Sequence, residues 1–153
     1  MIHFQIPGLP PSSNNAYFNL PRGGRSLTAA GKKFKNETKT FLAQRYMKAL
    51  AELKPNQPYL VYIRLYFDGL TTTTYGKPKG AESRYKKVDA SNRVKLLEDV
   101  LKDITNVDDS STMTLIVEKR LVDRGPASKE RTEVFLWNTE QEESPFDEIL
   151  LGI

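Results

Sequence analysis

The chain has 153 residues, 39% of them hydrophobic and 27% charged, which fits one compact domain and excludes a second sizeable core. It has no cysteine and one histidine, His3, so disulfides, thiolate zinc sites, paired-histidine metal clamps and cysteine nucleophiles are excluded and a Ser-His-Asp triad is disfavoured. The net charge of +4 is unevenly divided: residues 1–90 carry 15 Lys and Arg against 5 Asp and Glu, whereas residues 91–153 carry 8 against 14. The split suits a polyanion-binding surface beside a carboxylate cluster, although uneven solvated charge would give the same counts.

In chain order, Ile2–Ile6 alternate weakly and stop at Pro7, which predicts a short strand. The Pro-, Gly-, Ser- and Asn-rich run over 8–25 predicts loop with several turns. Thr28 caps a predicted helix to about Leu53. Phe34, Thr38, Phe41, Leu42, Ala49, Leu50 and Leu53 form its stripe, and Lys32, Lys33, Lys35, Lys39 and Lys48 lie mostly opposite. Tyr59–Phe67, rich in aromatic and β-branched residues, is the clearest strand. Asp68–Val88 has no apolar periodicity and holds Lys77, Lys79, Arg84, Lys86 and Lys87; a basic loop is expected here, mobile until DNA orders it.

A second helix is predicted over Ser91–Ile104. Val94, Leu96, Leu97, Val100, Leu101 and Ile104 fill one half of its wheel, and polar residues fill the other. Thr112–Leu121 and Arg131–Trp137 read as two strands. The segment Val122–Glu130, containing Arg124-Gly125-Pro126, joins them as an antiparallel pair. The order β-α-β-α-β-β predicts an α+β fold: one two-layer domain over 1–138, with a mixed sheet and two main helices on one face. Residues 139–153 form an acidic tail with an apolar end, Phe146 and Ile149–Leu151, which could be a partner motif, a swapped arm or a frayed end. No stretch approaches the roughly 20 apolar residues of a membrane span, and the start lacks a signal peptide's basic and apolar regions. A cytoplasmic protein with no membrane partner is expected.

The chemistry concentrates in residues 88–111. Asp89 precedes the second helix and Asp108-Asp109 follow it, while Asn92, Lys95 and Asp99 share one arc of its surface. Such a helix is about 21 Å long, so the two acidic points meet only if a loop folds back or neighbouring strand ends bring them together. Several carboxylates, an amide and a lysine suit Mg²⁺, which takes oxygen ligands, with a cation to offset charge on a phosphoryl group. The bland alternative is acidic helix ends and a solvated i,i+4 ion pair between Lys95 and Asp99.

The run Asp89-Ala90-Ser91-Asn92, Lys95, Asp99-Val100-Leu101 and Asp108-Asp109 resembles the signature of the RusA family of Holliday junction resolvases. Pro10-Pro11-Ser12-Ser13-Asn14-Asn15-Ala16-Tyr17 resembles that family's amino-terminal motif. The resemblance covers most of residues 2–137. It implies that Asp89 and Asp109 bind metal, with Asp108 an adjacent helper or ligand, and that Lys95 is the catalytic lysine. It also implies a Mg²⁺-dependent endonuclease, with Mn²⁺ an alternative ion, acting as a homodimer on four-way DNA junctions. Ser91 departs from the pattern, standing where the best-known members have a second aspartate. Asp99 is the expected source of the missing charge, and Ser91 itself is expected to cap the helix.

Asn14, Asn15, Tyr17, Arg22, Arg25, Lys77, Lys79, Arg84, Lys86, Lys87 and Asn92 are the expected DNA contacts. Gly23-Gly24 would let backbone amides approach a phosphate. His3 and Trp137 are expected to be structural. Two other readings are a branched-DNA-binding protein impaired in cleavage through Ser91, and a phage accessory protein whose acidic tail contacts a protein partner.

Overall fold

A computed structural model describes residues 1–123, 128–143 and 146 of the chain. Its main sheet has four strands: β1 (Ile2–Pro7), β4 (Tyr59–Phe67), β5 (Thr112–Leu121) and β6 (Arg131–Asn138). Their spatial order is β1-β6-β4-β5. β6 runs antiparallel to both neighbours, and β5 runs parallel to β4. The helices are α1 (Ser13–Ala16), α2 (Ala29–Arg45), α3 (Met47–Leu50) and α4 (Ser91–Thr105). A separate hairpin joins β2 (Tyr17–Asn19) to β3 (Arg25–Leu27). This is the expected α+β domain with a mixed sheet.

β4 organises the layers because it is apolar on both faces. Tyr59, Val61, Ile63, Leu65 and Phe67 meet Leu42 of α2 and Val94, Leu97, Val100 and Leu101 of α4 in the main core. Leu60 and Tyr62 point the other way and pack with Trp137, Ile116, Phe135 and Phe146. A strand buried on both sides belongs in the sheet interior, where both its edges can be paired. That placement overturns the expected β5–β6 hairpin: β4 lies between the two strands. Arg124-Gly125-Pro126 of their connection fall outside the described residues, as do Ile149–Leu151.

Thr28 caps α2 as expected, its side chain accepting the Gly31 N–H at 3.1 Å. The helix stops at Tyr46, whose φ of −126° is not helical, and resumes as α3, so the single helix to Leu53 is corrected. Tyr46 packs its ring on Phe4 and Phe41, and this tertiary contact lies at the break. α4 follows the predicted stripe and ends where Asn106 turns left-handed at φ 59°. His3 stacks on Phe135 with ring centres 4.2 Å apart, and Trp137 is buried.

Two expected loops contain more order than their composition suggests. Residues 8–25 hold α1 and half of the β2–β3 hairpin. Residues 68–88 double back as a finger: Thr71 bridges Tyr85, Thr72 N–H donates to Arg84 O, and Lys86 N–H donates to Leu70 O, both at 2.9 Å. The first tail residues are stapled to the domain, with Thr139 N–H on Pro58 O at 3.0 Å and Glu142 paired to the Met1 amine at 2.5 Å. Phe146 packs edge-on against Tyr62 and Trp137.

Candidate active site

The exposed side of α4 carries the groups singled out in the sequence. Lys95 Nζ lies 3.2 Å from Asp99 Oδ1 and 3.7 Å from Asp109 Oδ2. Asp109 reaches it because the chain turns back after Asn106 into a 3-10 turn, Asp109–Ser111, that leads into β5. Asp99 also receives the Tyr17 hydroxyl on Oδ2 at 2.5 Å, so both its oxygens are engaged. Burial and that bond hold the Tyr17 phenol well above its usual pKa, fixing it as a donor.

The fields of these carboxylates fix the state of the lysine. Asp99 first, then Asp109 and Glu98, push the Lys95 pKa up. Lys95 is therefore an ammonium at neutral pH and cannot accept a proton. Glu98 faces a recess whose lining includes Leu53, Val61, Leu101 and Leu136 beside Asp109, and burial raises its pKa.

The remaining acidic residues separate by role. Asp108 caps the 3-10 turn, accepting the Ser110 N–H at 3.0 Å, and is ion-paired with Lys102. The Lys102 ammonium first, then Ser110, hold its carboxyl well below the usual range. Asp109, whose ion pair with Lys95 is 3.7 Å long, is the freer of the pair.

Asp89 lies at the other end of α4. Its Oδ1 accepts the Ser91 N–H at 3.0 Å and the Ser91 hydroxyl at 2.7 Å, so Asp89 performs the capping expected of Ser91. The reason is backbone geometry: Ala90 is already helical (φ −66°, ψ −40°), which makes Ser91 an interior residue of the first turn. The Ser91 hydroxyl, with backbone N–H groups and Lys119, lowers the Asp89 pKa. Lys119 Nζ donates to Val88 O at 3.0 Å and so ties this corner to the far end of β5.

Within one chain the structure brings Lys95, Asp99 and Asp109 together and leaves Asp89 apart. α4 has 15 residues, a length of about 22 Å, and the turn after Asn106 folds Asp109 back only as far as Lys95, while Asp89 stays beside Lys119. Among the described residues, no three His, Asp or Glu side chains converge as metal ligands. The carboxylates that one chain brings together therefore supply only part of a divalent-cation ligand set.

The expected DNA contacts flank both ends. Arg22 and Arg25 sit on the β2–β3 hairpin, whose inner strand carries Tyr17 to Asp99. Asn14 and Asn15 are exposed on α1, and Ser13 Oγ donates to the Asn92 carbonyl at 2.7 Å, pinning α1 to α4. Lys77, Lys79, Arg84, Lys86 and Lys87 are exposed on the finger that runs into Asp89, and Arg84 lies over the Tyr85 ring. Sequence reading missed the Tyr17–Asp99 bond, which spans 82 residues and leaves no mark in local spacing. It also missed Lys119, which reads simply as one position in a strand.

A family model described as endodeoxyribonuclease RusA matches residues 7–135 of this chain. No protein among curated sequences matches it.

Proposed function

The chain belongs to the RusA family of endodeoxyribonucleases, and from that premise we propose that it resolves four-way DNA junctions by paired symmetric nicks, as a two-fold homodimer whose active sites are each divided between two chains. The observation that carries this reading is that Asp89 and Asp109 stand at opposite ends of β5, Asp89 beside Lys119 and Asp109 just before Thr112. β5 supports it. This strand is a free edge of the sheet, ten residues long, with Met113, Leu115 and Leu121 64%, 43% and 57% exposed. A long apolar edge is a template for pairing with another chain.

Two-fold pairing of β5 with its counterpart is antiparallel, so the start of one strand lies beside the end of the other. Asp109 and Lys95 stand near the start, and Asp89 stands near the end, beside Lys119. The pairing therefore moves Asp89 of one protomer toward Asp109 of its partner, and the finger of one toward the hairpin of the other. Two equivalent sites follow, as two matched nicks require.

In this arrangement Asp89 and Asp109 supply the carboxylates for Mg²⁺ or Mn²⁺. Bound there, such an ion would supply a polarised water. Lys95, held cationic, would stabilise charge building on the scissile phosphate. Asp99, with both oxygens engaged, aims Lys95, while Asp108 shapes the turn that presents Asp109. The basic hairpin and finger would hold phosphates, so binding should fall steeply with salt.

A labelled four-way junction and a linear duplex of the same sequence, incubated with Mg²⁺, test the reading. Wild type should nick the junction symmetrically and spare the duplex, and Asp89→Asn should bind the junction without cutting it. Binding without nicking by wild type would instead identify a branched-DNA-binding protein.

A further inference from the structure

We propose that the outer face of the β2–β3 hairpin is a wedge that enters the branch point and receives unstacked nucleobases on Phe18 and Leu20. The proposal rests on the junction-cleaving reading above and names the element that would recognise the branch.

Alternation along a strand sends neighbouring side chains to opposite faces. Tyr17 turns inward, where its hydroxyl meets Asp99. Phe18 therefore turns outward, and Leu20 continues on the same side; they are 48% and 42% exposed. Ser26, directly across from Phe18 on β3, is too small to shelter a phenyl ring.

One exposed apolar residue on a soluble protein needs no explanation. Two on the same face of the hairpin, with Arg22 at its turn, form a surface of mixed chemistry, while Arg25, opposite Asn19, lies on the Tyr17 side. Single-stranded DNA presents the complementary mixture: flat apolar base faces and anionic phosphates within one nucleotide of each other. At the turn, Gly23 and Gly24 have φ of +91° and +85° with open space where a side chain would stand; the Gly23 N–H donates to Leu20 O at 3.1 Å, and a backbone phosphate can approach the Gly24 amide.

A wedge must also be rigid, and the base of this hairpin is. Thr28 N–H donates to Ala16 O at 2.9 Å, and Thr28 Oγ1 donates to Asn15 O at 2.5 Å. Gly31 of α2 approaches so closely that a Cβ there would lie 2.4 Å from the Ala16 carbonyl oxygen. The inner face is fixed to α4 through Tyr17, so the apolar face keeps a set position relative to Lys95. Inserting an apolar side chain between bases costs least where stacking is already interrupted, and a branch point is such a place. The hairpin would thus favour branched over continuous DNA without reading sequence.

The test is a four-way junction carrying 2-aminopurine beside the branch point, saturated with the full chain in metal-free buffer. Wild type should raise the fluorescence severalfold as the base unstacks. Phe18→Ala should saturate the junction without that rise and, once Mg²⁺ is added, nick it about tenfold more slowly, the worth of one lost base–aromatic stack. Leu20→Ser should weaken the signal in the same direction, and Phe18→Trp should restore it.

An undiminished rise with saturated Phe18→Ala would overturn the proposal, as would a wild type that cuts junctions with no rise at all. Conversion of a dimeric wild type to monomers by Phe18→Ala would also overturn it, assigning this face to a contact between copies. A wild type that fails to nick junctions would strike the underlying functional reading instead.

Discussion

Mixing two inactive variants distinguishes a divided site from one contained in a single chain. Asp89 stands beside Lys119 near the end of β5 and Asp109 just before Thr112 at its start, about 20 Å apart along the strand. Mg²⁺ holds its oxygens at about 2.1 Å, so two ligands of one ion lie within about 4 Å of each other. A single chain does not close that gap without refolding, whereas a two-fold partner paired along β5 would close it. Asp89→Asn and Asp109→Asn should each be inactive alone. In a mixed dimer, one site then collects both substitutions and the other has neither. Random reassortment of equal amounts makes about half the dimers mixed, each with one sound site of two. Nicking should therefore recover to about a quarter of the wild-type level, read on denaturing gels. Paired cutting into linear duplexes, read on native gels, should stay at background because each mixed dimer cuts once. Two affinity tags purified in series would give mixed dimers alone and raise the nicking to about half. If verified mixed dimers bind the junction and cut nothing, the divided site is refuted.

Other perturbations address the parts that support this arrangement. Gly31→Ala would drive a methyl group against the Ala16 carbonyl, and should cost about 1–3 kcal/mol, lowering the melting temperature by several degrees. An unchanged melting curve would show that the hairpin base can shift freely. Asp103 bridges α4 to Lys35 and Lys39 of α2 at 2.8 and 2.7 Å, and those ammonium groups lower its pKa. Its contribution is present above the ordinary aspartate pKa and is lost as pH falls through the lowered one. Urea midpoints should thus fall from pH 5 to pH 3 by more in wild type than in Asp103→Asn, and equal falls would exclude the clamp. Replacing Lys77 and Lys79 together by Ala should reduce the slope of log affinity against log salt by nearly 2, about 0.9 for each lost phosphate contact. A parallel line would take the finger out of the DNA path.

Features set by neighbouring residues were legible in the sequence, and those set by distant partners were not. The stripe Val94, Leu97, Val100, Leu101 needs only the helical period to be seen, and it is buried as that period requires. The Thr28 cap lies three residues from the amide it satisfies. The pairing of β5 escaped because strand order depends on which strand is apolar on both faces, and a hairpin guess ignores that competition. β4, already the most apolar segment, held the needed clue. Ser91 reads as the cap because its residue type favours that position, yet Asp89 two residues earlier offers a stronger acceptor and wins both Ser91 donors. The grouping of Lys95, Asp99 and Asp109 followed partly from spacing. Tyr17's place in it comes from a hairpin three residues wide, too short to register as alternation.

The charge arrangement around Lys95 also narrows what the lysine can contribute. A lysine serves as a base when burial or a neighbouring cation lowers its pKa. Here three carboxylates do the opposite, and with the side chain 54% exposed they outweigh the desolvation that opposes them. Before DNA arrives, Asp99 and Asp109 neutralise the ammonium; an incoming phosphate would compete with Asp109, the looser partner at 3.7 Å, rather than with Asp99 at 3.2 Å. Asp109 would then be released toward a cation just as the phosphate takes its place beside Lys95. The same geometry explains why Asp99 suits aiming better than ligation. An ion drawn to Asp99 would have to displace both the Tyr17 hydroxyl and the lysine at 3.2 Å, while one drawn to Asp109 displaces the lysine from a longer, 3.7 Å contact.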